Sequence, residues 1–378
     1  MIYLDYAAAT PLRKEVIRVM KKVLEKQFGN PSSAHSQGRA AKALIEAARS
    51  RIAQHVNCKP TEVVFTGGGT EANNMAILGF AEANIDKGNH IITTPVEHES
   101  VLEPIKKLQK AGFSITFLPV DSKGAVSEKD LLKAIKKDTV LISIIHGNNE
   151  IGTVQDIKKL AESAKKHTNA AFHTDSCQTL GYNKLDFLDL NVDAITINSG
   201  KISGPKGVGA LILKEKSAIT PFITGGGQER RLRSGTENLA GILGFAEAVS
   251  LIDYKKTNQI ESLRGRLQKN IIKAFPQAGI NGDQKNRLPN NLNVTFPGID
   301  AESLLIRLDM EGIAASAGSA CGSGSIEPSH VLLAIGLSQK DAKSTIRFSL
   351  GDQTTKEEID TVFKTLNKIL KKMYNLRP

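Results

Sequence analysis

Between about residues 60 and 215 the chain alternates short apolar runs with longer stretches of helical character. Seven runs read as strands: "EVVFT" (62–66), "HIITT" (90–94), "SITFLP" (114–119), "VLISIIH" (140–146), "AAFHT" (170–174), "DAITI" (193–197) and "VGALILK" (208–214). Amphipathic segments at 70–86, 99–111, 127–136 and 156–166 lie between them and read as helices. Strand–helix alternation of this kind builds a mostly parallel sheet covered on both faces. The fold class expected is therefore α/β. Ligands in such sheets sit at the carboxyl ends of the strands, so the chemistry should follow these runs.

Past this region a long helical stretch at 237–274 carries the chain onward. "NRLPNNLNVTFPG" and "IAASAGSA" then read as shorter strands, and "AESLLIRLDMEG" and the tail "KEEIDTVFKTLNKILKKM" as amphipathic helices. This predicts a large domain over 15–255 with a seven-stranded sheet. A smaller α+β domain is expected from 1–14 together with 256–378.

Composition narrows the class. With 378 residues, 40% apolar and 24% charged, the chain reads as a soluble globular protein. No run approaches the roughly 18 apolar residues of a membrane span, and no signal peptide is visible at "MIYLDYAAATPL". Three scattered cysteines, without CxxC or zinc spacing, suit a reducing compartment, so a cytoplasmic location is expected and a metal site is not. The net charge of +11 raises nucleic-acid binding. The lysines, however, are spread along amphipathic stretches, and five tyrosines with no tryptophan leave little to stack on bases. An acidic protein partner remains compatible with this charge.

The strand ends carry the candidate chemistry. "GGGTEANN" places Gly69 and Thr70 where a glycine turn opens a helix, which is either an anion site or a plain capped turn. "NSGKISGPKG" follows a strand and offers Lys201, with Lys206 competing, as an amine able to form a Schiff base. Asp175 in "HTDSCQ" is either a helix cap or the carboxylate partner of a protonated ring nitrogen. His98 in "VEHES" could stack on a ring or carry protons, and Asn149 stands in "HGNNEIG". Arg347 in "STIRFSLG" is either a clamp for a substrate carboxylate or half of a surface ion pair. Together these groups make a pyridoxal phosphate pocket. Cys321 lies in "SAGSACGSGS", a stretch of small residues expected to be mobile, where a cysteine is placed to react.

Ordered motifs from "YLDYAAATP" and "GNPSSAHSQGR" through "VVFTGGGTEANN", "GGGQERRLRSGTEN" and "SAGSAC" to "IEPSHVL" run nearly end to end. With them the chain closely resembles the cysteine desulfurases of the NifS/IscS group, class V of the aminotransferase-fold enzymes. The resemblance implies a fold-type I homodimer with pyridoxal 5'-phosphate as cofactor and L-cysteine as substrate. It implies Lys201 as the Schiff-base lysine, Asp175 as the ring-nitrogen partner, Gln178 on the phenolic oxygen and His98 stacked on the ring. Gly69, Thr70 and Ser199 would hold the phosphate, and Thr236 would reach the phosphate of the other subunit. Asn149 and Arg347 would bind the substrate carboxylate. Lys201 or His98 would move the proton, and Cys321 would accept sulfur as a persulfide for an iron–sulfur scaffold or a tRNA thiolation enzyme.

Four positions depart from the family pattern. Gly200 and Asn198 stand where histidine and serine usually donate to the phosphate, which predicts weaker cofactor retention unless Ser199, Asn198 or Ser203 substitutes. Cys177, between Asp175 and Gln178, is either a second thiol at the cofactor or a buried filler. Ala9 replaces a common threonine. Two other readings compete: an enzyme of the selenocysteine lyase kind, and a degenerate paralogue acting as a binding subunit.

Overall fold

All seven expected runs meet in one sheet of the computed structural model, which describes residues 1–318 and 328–375. Across the sheet the strands follow the order Val63–Thr66, Gly209–Leu213, Ala194–Asn198, Ala171–Asp175, Thr139–Ser143, His90–Thr93 and Ser114–Phe117. Five neighbours run parallel, while Gly209–Leu213 is antiparallel to both strands beside it. Thr139–Ser143 and Gly209–Leu213 are buried along their whole length because helices cover both faces, so their sequences read as largely apolar runs. Ser114–Phe117, at the edge, shows solvent at both ends instead.

One face packs against the helix Gly69–Ala83 through Ala72, Met75, Ala76 and Phe80, with Glu99–Lys110 beside it. The other face is covered by Ser36–His55 and Leu239–Ser250, which contribute Ile45, Ile52, Ile242 and Phe245. A second core forms around the antiparallel strands Thr345–Ser349, Asn291–Thr295 and Gly279–Asn281. Helices Lys255–Ala274, Ala301–Met310 and Lys356–Asn375 complete it, and Leu4 reaches it from the amino terminus.

The expected continuous helix at 237–274 is two helices, Leu239–Ser250 and Lys255–Ala274. The break has side-chain causes that hydrophobic spacing does not show. The Asp253 carboxylate accepts from the Lys255 amide, and Tyr254 anchors the turn by donating to the Leu180 carbonyl. The "IAASAGSA" strand shortens to Ile313–Ala314, paired in parallel with Ile2–Tyr3. That pairing holds the amino terminus against the second core and lays residues 5–10 across the carboxyl edge of the large sheet.

Candidate functional site

At that edge the strands release their chains into one cavity of about 740 Å³, counted to its open mouth. Gly68 makes the turn into the helix Gly69–Ala83 with φ of 147°, a region that favours glycine. A Cβ on Gly68 would meet nothing within 4 Å, so this bare backbone borders open space at the positive end of a helix. Gly209, passing beneath, is required by contact: its Cβ would lie 2.8 Å from the Gly68 carbonyl carbon.

The cavity brings together Asp175, Gln178, Lys201 and His98, with Gly69 and Thr70 at the helix start and Asn149 and Arg347 on the side of the second core. Asp175 ends its strand only 5% exposed. One of its oxygens accepts from the Cys177 amide at 2.9 Å, a local turn bond, and the other accepts from Asn73 Nδ2 at 2.7 Å. Lys201 Nζ donates to the carbonyls of Ala7 and Ala8 at 2.8 and 2.6 Å, and Gln178 Nε2 donates to the same Ala7 carbonyl at 2.9 Å. Lys206 borders only the outer mouth, beside Gly200 and Gly207.

Ser199, expected at the phosphate, does not line the cavity, and neither does Thr236, whose expected place was the phosphate of the other subunit. Ser199 Oγ is buried without a partner among the described residues, and a Cβ on Gly204 would lie 2.2 Å from it, so it points into the protein. Thr236 is exposed and borders a separate depression with Gly67, Arg233 and Glu237. Of the suggested substitutes near the phosphate, Asn198 lines the cavity and Ser203 does not. Cys321 lies outside the described residues. The chain on either side of its segment meets Glu150, the neighbour of Asn149. Ser329 Oγ donates to the Glu150 carboxylate at 2.5 Å, and a Cβ on Gly318 would lie 3.6 Å from it.

The sequence matches the aminotransferase class-V family over residues 2–362. The chain belongs to that family. It is 48% identical to a cysteine desulfurase IscS of Dictyoglomus turgidum, over the whole of this chain and 96% of the relative. A cysteine desulfurase IscS of Methanosarcina thermophila is 44% identical over the whole of this chain and 94% of its own. A solved NifS-like protein superposes with a TM-score of 0.92 at 36% identity, covering 98% of this chain and 99% of that one. Within the class-V family these relatives set the chain in the NifS/IscS group of cysteine desulfurases.

For a class-V enzyme the donor set fits pyridoxal phosphate. A buried carboxylate, an amine on a strand-following turn and a side-chain-free helix start all face one cavity. On the other side, Arg347 Nε is buried without a partner among the described residues, an orphan suited to a carboxylate.

Several groups around the cavity escaped sequence reading. Asn73 and Ser100 bridge Asp175 to His98, and Glu97 lies fully buried beneath them. Burial pushes the Glu97 carboxyl up to about 8 despite bonds from Thr94 and the Ile145 amide, and the nearby Asp175 charge adds to the rise. Burial likewise lowers His146 and His173 to about 4. The signal for Asn73 was available: an amide on the helix face where Ala72, Met75 and Ala76 are all buried. Cys177 is buried against Gly69, and burial, then the Asp175 charge, hold its thiol well above the usual range. Cys177 also lines the cavity, as the second-thiol reading requires, while its raised thiol favours the filler reading.

Proposed function

We propose that this enzyme converts L-cysteine to L-alanine and receives the sulfur on Cys321. Asp175 would hold the protonated ring nitrogen of pyridoxal phosphate, Gln178 its phenolic oxygen, His98 its face, Gly69 and Thr70 its phosphate, and Lys201 its aldehyde carbon. The cofactor, when bound, supplies an electron sink for the bonds at the substrate α-carbon.

The chain supplies the rest. Arg347 and Asn149 fix the substrate carboxylate, which orients the α-carbon toward Lys201 and the thiol toward the open side. The Lys201 amine moves the proton at the α-carbon. The Cys321 thiolate then attacks the substrate sulfur, forming an S–S bond as the C–S bond breaks, and the electron pair stays on carbon. Net, one thiol hydrogen ends on the alanine methyl group and Cys321 carries the persulfide. Both ends of its segment meet Glu150, beside Asn149, which supports this role for Cys321.

The observation that carries the reading is the convergence of Lys201, Asp175 and Arg347 on one cavity in a chain with these relatives. Thr236, exposed and away from its own cavity, suits a homodimer in which it serves the partner's phosphate site. The onward acceptor is an iron–sulfur scaffold or a tRNA thiolation protein, in the cytoplasm. Incubating the pyridoxal phosphate-loaded enzyme with L-cysteine and a reductant tests the reaction: equal alanine and sulfide over many turnovers supports it. Loaded protein that makes no alanine contradicts it.

A further inference from the structure

A chain of three hydrogen bonds runs from Asp175 to His98. Asn73, 1% exposed, donates from Nδ2 to Asp175 Oδ2 at 2.7 Å and to Ser100 Oγ at 2.8 Å. The carboxylate only accepts, so the amide cannot be reversed without setting two oxygens against each other. Ser100 Oγ, having accepted from Asn73, directs its single proton to His98 Nδ1 at 2.8 Å. The Ser100 backbone N–H points at the same nitrogen at 3.1 Å. Nδ1 thus faces two donors, one of which, the amide, cannot turn into an acceptor.

We propose that Asn73 and Ser100 are positioning residues that hold the ring proton of His98 on Nε2. With that tautomer fixed, Nε2 offers a hydrogen rather than a lone pair. Taking a proton there would first require a proton on Nδ1, opposed by both Ser100 donors. His98 is then a ring face and a fixed donor, and the α-carbon proton goes to Lys201 alone. The tautomer stands on the hydrogen bonds; only this last consequence rests on the desulfurase reading.

The test is a long-range proton–nitrogen correlation spectrum of the full chain, labelled with nitrogen-15 histidine, with and without pyridoxal phosphate. The His98 signals are assigned by their loss in His98→Gln. We expect the Nε2–H pattern in both states. Ser100→Ala should shift Nδ1 and admit the other tautomer, while Ser100→Thr, which keeps the hydroxyl, should restore the original pattern. A Nδ1–H pattern in the unaltered chain, or identical His98 signals in Ser100→Ala, overturns the proposal.

Solvent deuterium exchange at the α-carbon of alanine supplies the second arm. Removing a true general base costs about a hundredfold or more. At saturating pyridoxal phosphate, Lys201→Ala should therefore lose exchange by about a hundredfold or more, and His98→Gln, which gives up the ring face over the cofactor, should lose less than Lys201→Ala. The reverse order overturns the assignment of the proton to Lys201. Absence of exchange in the unaltered, loaded protein would count against the desulfurase reading, and the spectrum would still decide the tautomer.

Discussion

Arg347, 1% exposed in the middle of the strand Thr345–Ser349, places one guanidinium nitrogen 2.7 Å from the Asp5 carboxylate. Its other terminal nitrogen donates to the Asn149 carbonyl at 3.1 Å. The second core thus presents an arginine fork to the large sheet's cavity, steadied by the amino-terminal segment. The surface ion pair considered from sequence is instead one whose arginine is buried and whose carboxylate is half-buried. A lysine offers a point charge without the fork. Arg347→Lys should raise KM for L-cysteine about tenfold to a hundredfold, the loss of one charged hydrogen bond. Steady-state kinetics checks this, with kcat changing less.

The strand that leads to the helix start has its own support. Glu229 accepts two bonds from Arg49, at 2.7 and 2.6 Å, and one from the Phe65 amide at 2.8 Å. The Arg49 guanidinium also lies 4.7 Å from the centre of the Phe65 ring. Arg49→Ala would strand a buried carboxylate and should cost about 3–5 kcal/mol of stability. Urea denaturation reads the change as a lower midpoint with an unchanged slope.

Glu97 makes stability fall with rising pH. Its folded value of about 8 lies above its unfolded one, so its contribution is fully present below about pH 4.3 and lost as pH rises to 8. His146 and His173, lowered to about 4, act oppositely: stability is present above their unfolded value of about 6.5 and lost as pH falls toward 4. Glu97→Gln should remove the descending limb between about pH 6.5 and 8, worth about 1.4 kcal/mol per pH unit for one proton. Denaturation midpoints across that range check it.

Gly200 is expected to weaken cofactor retention. A Cβ there would come no closer than 3.7 Å to any neighbour, so a side chain fits at the mouth beside Lys206. A donor to a charged group is worth about 1.5–3 kcal/mol. Gly200→His should tighten pyridoxal phosphate binding by about tenfold to a hundredfold, measured by titrating the cofactor-free protein and following absorbance.

The sheet strands were legible because each is short, largely apolar and bounded by turns, and most are buried on both faces. The meeting of Lys201, Asp175 and His98 at one cavity was legible for the same reason, since each stands at or just after such a run at the carboxyl edge of the sheet. The break before Lys255 was not, because Tyr254 depends on a carbonyl at position 180, far along the chain. Ser100 was hidden likewise: its partner Asn73 comes from a separate helix, and a polar residue on a helix resembles a solvated one until its neighbours are placed. Ser199 was misleading for a subtler reason. Its neighbour in sequence, Asn198, faces the cavity while its own hydroxyl turns toward Gly204. Thr236 borders another depression of the same chain.

The central claim is that Cys321 carries the sulfur. The most direct measurement is the mass of tryptic peptides from the loaded enzyme after L-cysteine without reductant. The account predicts that the Cys321 peptide gains one sulfur atom while the Cys177 peptide does not, and that Cys321→Ser makes no alanine. A persulfide on Cys177, or full alanine production by Cys321→Ser, would contradict it.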